Sequence, residues 1–168
     1  MAIVEQYLAP EEAAFRTGLA FPQMVRVEGT NQPVTGLAFD GAGTTSEYAF
    51  WKFSPFKYGS GNLSVDVIWY AASGTSGTVD WAAGVACITP NTDTEDVQSA
   101  GFGSSPLATG THLGTTARRL HKTTITITDT DSMAAGDECW LRLARNPSTD
   151  SITADVIVTS VRLSYSDT

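Results

Sequence analysis

The chain has 168 residues and a formal net charge of −8 at neutral pH. Such a charge repels phosphate backbones and anionic lipid headgroups, which argues against nucleic acid and membranes as partners. Hydrophobic residues make up 42% of the chain and charged residues 17%, a balance typical of one folded domain and not of a disordered chain.

Residues 1–34 contain three prolines and scattered apolar residues without a sustained period. They predict an extended N-terminal arm, with residues 24–28 as a short strand within it. We expect apolar side chains to anchor the arm on a partner protein, unless it folds back over its own domain. The expected anchors are Ile3, Val4, Tyr7, Leu8, Phe15, Leu19 and Phe21. The first residues lack the basic region and apolar run of a signal peptide, which predicts a cytoplasmic product unless it leaves within a larger particle.

Residues 35–168 predict a single all-β domain of the sandwich or barrel type. Runs of β-branched and aromatic residues alternate there with clusters of Gly, Ser, Thr, Asn and Asp. Seven runs are evident, and the arm's strand makes eight. The seven runs are 37–40, 48–53, 63–72, 79–88, 122–128, 139–145 and 155–165.

Period-two alternation is clearest in the third and fourth of these runs. One inward row comprises Leu63, Val65, Val67, Trp69 and Ala71. The equivalent row of the next strand comprises Val79, Trp81, Ala83, Val85 and Cys87. The glycine-containing segment 73–77 between them permits positive φ, so we expect these two strands to form a hairpin.

Two further segments are candidate contact elements. Residues 89–117 form a long polar stretch, and connections of that length are usually functional or disordered. Directly after it stands a basic cluster, in which Arg118 and Arg119 are candidates for docking on an acidic surface.

No residue pattern supports catalysis. His112 and His121 have no nucleophile motif beside them. Asp66 and Asp80 would face each other in the hairpin, as a glycosidase requires, but their alternation with core residues predicts solvated side chains. Acidic loop segments 93–96 and 129–131 lack EF-hand spacing. We therefore expect no catalytic residue, no metal and no cofactor.

The aromatic and sulfur-containing residues are predicted to lie in the core. Four tryptophans stand within strand patterns, which favours packing over an exposed sugar platform. Cys87 and Cys139 stand in apolar strand contexts, and a reducing cytoplasm predicts buried free thiols, with a disulfide only if their strands are neighbours.

The aromatic segment from residue 45 to 88, with later parts of the chain, resembles small virion proteins of tailed bacteriophages. The matching positions are Trp51, Pro55, Gly61, Trp69, Ala71, Val79, Trp81, Ala135, Gly136, Asp137 and residues 142–145. The resemblance covers roughly residues 36–166 and implies an antiparallel jelly-roll-type sandwich that decorates the outside of an icosahedral head, commonly as a trimer. No catalytic residue is implied by it.

Three functional hypotheses follow. The first is a head decoration, or cement, protein that forms a homotrimer on the capsid exterior and stabilises contacts between major capsid protein subunits. A second hypothesis is a glycan-binding module of a tail fibre or spike, which requires an exposed aromatic row. The third, a glycan-cleaving enzyme, is disfavoured because no convergent acid pair is evident.

Overall fold

A computed structural model describes residues 2–168. The chain forms ten strands and one short 3-10 turn at Pro10–Glu12. The strands are β1 (Ile3–Leu8), β2 (Gln23–Glu28), β3 (Pro33–Phe39), β4 (Glu47–Phe53), β5 (Leu63–Ala71), β6 (Thr78–Ile88), β7 (Leu107–Thr111), β8 (His121–Ile127), β9 (Glu138–Arg145) and β10 (Val156–Ser166). No helix among these residues is long and apolar enough to cross a membrane.

The ten strands form two antiparallel sheets packed face to face. The first sheet has six strands in the order β2-β3-β10-β5-β8, with β1 paired to the second half of β10. The second has four strands in the order β4-β9-β6-β7. This arrangement confirms the predicted all-β, jelly-roll-type sandwich. Strands β1 and β7 account for the difference from the eight expected.

The core lies between the two sheets, where the predicted inward rows of β5 and β6 are buried. Trp69 and Trp81 are inaccessible to solvent, and Trp51 is exposed by only 1%. The ring of Phe39 meets Trp81 edge-on at a centroid distance of 5.2 Å. Because each buried aromatic side chain removes a large apolar area from water, these residues dominate the stability of the sandwich.

The predicted hairpin between β5 and β6 is wrong. Strand β5 lies between β10 and β8 in the first sheet, whereas β6 lies between β9 and β7 in the second. Gly74 and Gly77, at φ +83° and +112°, lie in the connection through which the chain passes from the first sheet to the second. The two apolar rows therefore face each other across the core instead of lying side by side in one sheet.

The N-terminal segment, predicted as an arm, contributes two strands to the first sheet. Strand β1 pairs with β10, and β2 pairs with β3. The predicted boundary at residue 34 falls inside β3. Leu8 is buried, and Val4 packs against the core. In this structure the segment folds back on its own domain, the alternative that the sequence left open.

The prediction of free thiols at Cys87 and Cys139 is wrong. Both residues are buried and form a disulfide across β6 and β9. The strand register places them directly opposite each other, with Cα atoms 4.2 Å apart. Apolar context predicts burial correctly, but it cannot reveal which strands are neighbours.

The side chain of Arg145 is fully buried at the end of β9. Its Nε donates a hydrogen bond to Asp150 Oδ2 at 2.8 Å. Its Nη1 donates to the carbonyl oxygens of Phe39 and Ala154, at 2.9 and 3.0 Å, and its Nη2 donates to the carbonyl oxygen of Ile152. One guanidinium thus joins β9, the end of β3 and the loop before β10.

Replacing Arg145 with methionine should lower the free energy of unfolding by about 3–5 kcal/mol, because it leaves the Asp150 carboxylate buried without its cation. Urea denaturation followed by tryptophan fluorescence would measure the change. The matched control R118M alters an exposed arginine and should shift stability by less than about 0.5 kcal/mol. Equal stability of R145M and R118M would contradict this assignment.

Candidate functional site

The outer face of the second sheet carries aromatic side chains. Alternation along β4 and β9 directs Trp51 and Leu141 into the core, so Phe50 and Trp140 point outward. Trp140 is half-buried and lies between Lys52 of β4 and Ala86 of β6 in the strand register. Core packing is therefore confirmed for three tryptophans and is wrong for Trp140.

One wall of this face is built by residues 14–20, which run along the edge of β4. The backbones of Ala14 and Phe50 exchange two hydrogen bonds, at 2.7 and 3.0 Å, and the Tyr48 N–H donates to the Ala20 carbonyl at 2.9 Å. The Phe15 and Phe21 rings stack 5.2 Å apart. The edge of β4 is thereby covered, and Phe15 is brought beside Phe50.

The opposite wall is the segment from residue 97 to 106, which follows the edge of β6. The Gly103 N–H donates to the Val85 carbonyl at 3.0 Å, and the Phe102 ring lies 5.8 Å from that of Phe50. Gly84 lies beneath this segment, and a Cβ there would lie 2.5 Å from Ser105 Oγ, so a larger residue would have to displace that hydroxyl.

Between the two walls lies an open cleft of about 450 Å³, here called the aromatic cleft. Its floor is formed by outward residues of β4, β6 and β9, and its walls by the two covering segments. The lining residues are Ala14, Phe15, Arg16, Thr17, Phe50, Ala86, Val97, Gln98, Ala100, Phe102 and Trp140. Aromatic surface with a few hydrogen-bonding groups at its rim is typical of a small-ligand site.

A second, smaller pocket of about 170 Å³ lies on the same face, farther along β9. This polar pocket is lined by Ser46, Tyr48, Ala82, Ser105, Leu107, Arg142, Ala144 and Asn146. The Arg142 guanidinium lies 4.6 Å above the Phe102 ring and donates to Ser105 Oγ at 2.7 Å. Burial lowers the pKa of Arg142, an effect that nearby Tyr48 opposes.

The predicted partner-binding residues do not meet at one place. Ile3 and Tyr7 are exposed on β1, while Phe15 and Leu19 belong to the segment along β4 and Phe21 directly follows that segment. Arg118 and Arg119 are exposed on the turn before β8, where Arg119 Nη1 donates to the Leu113 carbonyl. Of the predicted residues, only Phe15 lines the aromatic cleft.

The cleft residues Phe50, Phe102 and Trp140 were missed by sequence reasoning. A signal for Trp140 was present, since Cys139, Leu141 and Leu143 form an inward row and every second residue must face outward. No sequence signal located Phe102, because the long loop has no periodicity.

The two acidic residues considered for sugar cleavage lie in different sheets. Asp66 of β5 accepts hydrogen bonds from Lys122 at 3.1 Å and Thr124 at 2.5 Å. Asp80 of β6 is buried, against expectation, and accepts a hydrogen bond from Thr109 at 2.5 Å. Each carboxylate thus has its own structural partners. Within residues 2–168, no cluster of three His, Cys, Asp or Glu side chains could hold a metal ion.

The two histidines, neither of which has a nucleophile motif beside it, form a buried pair with ring centroids 4.5 Å apart. His112 accepts the Gly114 N–H at Nδ1 and donates from Nε2 to the Ala117 carbonyl. The His121 ring lies 4.6 Å from that of Trp69, and neither of its nitrogens has a hydrogen-bond partner. Burial, His112 and Arg119 lower the pKa of His121.

Comparison with known proteins identifies the fold. No family model matches the chain, and no curated protein matches it. The family 11 carbohydrate-binding module of Clostridium thermocellum, in complex with a β-1,3-1,4-mixed-linked tetrasaccharide, has a TM-score of 0.50 at 12% identity. The match covers 97% of this chain and 96% of that one.

A second similar structure contains the CBM22-1 and GH10 modules of the Clostridium thermocellum endo-1,4-β-D-xylanase 10B, complexed with xylohexaose. Its TM-score is 0.55 at 12% identity, and the match covers 94% of this chain but only 27% of the xylanase chain. The present chain thus spans about a quarter of that protein's length. Both similarities establish a shared jelly-roll sandwich fold.

Because of the buried histidine pair, we expect the protein to become less stable to unfolding in mild acid. Since the pKa of His121 is lowered in the folded state, the unfolded chain binds the proton first as the pH falls below about 6.5. The free energy of unfolding should decrease from there and level off below the lowered pKa. Denaturant titrations between pH 7.5 and 5.5 would measure this decrease, and H121F should reduce it. An unchanged slope in H121F would contradict the prediction.

Proposed function

We propose that the protein is a glycan-binding module whose ligand lies in the aromatic cleft. The observation that carries this proposal is the outward position of Trp140 beside Phe50 and Phe102, on an open face walled on both sides. Sugar rings combine apolar C–H faces with hydroxyl edges. An aromatic floor with polar groups at the rim matches both properties.

Each part of the cleft has a role in this proposal. Trp140 provides the flat surface for a sugar ring, while Phe15 and Phe102 exclude water from its edges. Thr17 and Gln98 at the rim supply hydrogen-bonding groups for hydroxyls. Because these groups stand on a packed sandwich, little conformational entropy is lost on binding. The role is binding without cleavage.

Two further observations support this proposal. Both structures described above share this fold at 12% identity and are complexes with oligosaccharides. The Cys87–Cys139 disulfide favours an oxidising compartment, where polysaccharides outside the cell are met, over the reducing cytoplasm.

Replacing Trp140 with alanine should weaken glycan binding by about 2 kcal/mol, roughly thirtyfold in dissociation constant, because the central stacking surface is lost. Affinity electrophoresis against a panel of soluble plant and bacterial polysaccharides would identify a ligand, and calorimetry would measure the change. The control F56A removes an aromatic ring that is 64% exposed outside the cleft, and it should bind as the unaltered protein does.

The outcomes separate the proposal from simple misfolding. W140A should keep its far-ultraviolet spectrum and melting temperature within a few degrees, because its side chain is only half-buried. Equal affinity of W140A, F56A and the unaltered protein for a bound polysaccharide would place the ligand elsewhere. If no polysaccharide in a broad panel is retained, the proposed function fails.

A second candidate is the virion decoration role. The observation that favours it is the exposure of Ile3 and Tyr7 on β1, by 64% and 63%. In the described structure β1 pairs with β10 along one of its two edges. An edge strand with exposed apolar side chains is suited to pairing with another chain. In this role the partners would be further copies in a homotrimer and the major capsid protein.

Sedimentation equilibrium tests this second role. A trimer at micromolar concentration should dissociate in Y7E, because a charge would enter the contact, while the control F56E should remain trimeric. Retention on phage heads and a higher bursting temperature of those heads would then support decoration. A monomeric protein that no head retains would reject it.

A further inference from the structure

The polar pocket beside the aromatic cleft contains a single charged side chain, that of Arg142. The other lining residues are neutral, and several of them offer hydroxyl or amide groups. On the same face, the carboxylate of Asp80 is buried and accepts the hydrogen bond of Thr109. The lining of this pocket therefore includes one positive side chain and no negative one, in a chain whose net charge is −8.

Arg142 has no anionic partner in the described structure. The four ion pairs among residues 2–168 belong to Arg26, Lys52, Lys122 and Arg145. The Arg142 guanidinium carries five N–H donors and uses one for Ser105. Partial burial removes water from this cation, so an anion placed beside it would gain more than at the open surface.

We propose that the polar pocket binds the carboxylate of an acidic sugar unit, a uronic acid, in a glycan whose neighbouring units lie in the aromatic cleft. This inference rests on the proposed glycan-binding function and narrows its ligand class. The planar guanidinium matches a carboxylate with two parallel hydrogen bonds. The Tyr48 hydroxyl and the Asn146 Nδ2 group remain available for the hydroxyls of the same sugar, whereas Asn146 Oδ1 already accepts a hydrogen bond from Ser148.

The spacing along β9 suits adjacent units of one chain. Trp140 and Arg142 are both outward residues, two positions apart, which corresponds to roughly 7 Å at about 3.3 Å per residue. A sugar stacked on Trp140 and a charged neighbour beside Arg142 would therefore fit one continuous ligand. Phe102 lies between the two pockets, since it lines the cleft and also lies beneath the guanidinium.

A purely structural role for Arg142 makes a different prediction. Its contacts with Phe102 and Ser105 would then serve only to hold the segment of residues 97–106 on the sheet. Loss of Arg142 would in that case weaken acidic and neutral ligands alike and would lower the melting temperature. A recognition role predicts loss of affinity for the acidic form alone.

The experiment uses polysaccharides in matched pairs. Polygalacturonate, alginate and glucuronoxylan are each compared with the same polymer after its carboxyl groups have been reduced to neutral hydroxymethyl groups. Affinity electrophoresis of the full chain should show at least one acidic polymer bound about tenfold or more tightly than its reduced form. R142Q should lose this preference, and R142K should retain part of it because lysine lacks the planar fork.

R118Q is the matched control, because it removes the same charge from an exposed arginine outside both pockets. It should keep the preference for the acidic polymer. Equal losses in R142Q and R118Q would show a general charge effect and overturn the inference. So would equally tight binding of a sulfated polymer, which would mean that the pocket recognises negative charge and not the carboxylate.

Failure of the inference can be told apart from failure of the proposed function. If neutral and acidic forms bind equally, and W140A abolishes both, glycan binding stands and the carboxylate site is rejected. If none of the polymers is bound, glycan binding itself is rejected and the inference falls with it. Melting temperatures of R142Q and R118Q within a few degrees of each other exclude misfolding as the cause.

Discussion

The buried guanidinium of Arg145 is the constraint on which the rest of the second sheet depends. It neutralises Asp150 and donates hydrogen bonds to three carbonyl groups that belong to two distant parts of the chain. A cation so placed is costly to desolvate and is tolerated only when its donors are satisfied in this way. It therefore fixes the end of β9, and with it the register of the strand that lies between β4 and β6.

Strand β9 connects this constraint to recognition. Its inward row, which includes Cys139 and Arg145, is held by the core and the disulfide. Its outward row carries Trp140 and Arg142, the residues to which we assign the sugar platform and the acid-binding group. Because the two rows alternate on one rigid backbone, stability and the proposed binding depend on neighbouring positions and not on the same side chains.

Much of the fold could be predicted from alternation alone, because the rows containing Trp69 and Trp81 must be buried in any sandwich. The sheet to which each strand belongs could not be predicted, since a local pattern does not specify long-range strand pairing. For that reason the predictions of a β5–β6 hairpin and of free thiols were wrong. The candidate site could be predicted only in part. The outward position of Trp140 follows from the inward row of β9, whereas Phe102 is positioned by backbone contacts between its loop and β6, which the sequence does not reveal.

The two ends of the described chain lie beside each other. Ala2 and Asp167 exchange hydrogen bonds, and β1 pairs with β10 along its whole length. A short linker could join these ends, and new ends could be opened in the exposed turn at residues 73–77. Such a circular permutant would keep every strand pairing described above. Since β1 and β10 belong to the first sheet, insertion of the chain through these ends into a loop of another protein would also leave the aromatic face of the second sheet free.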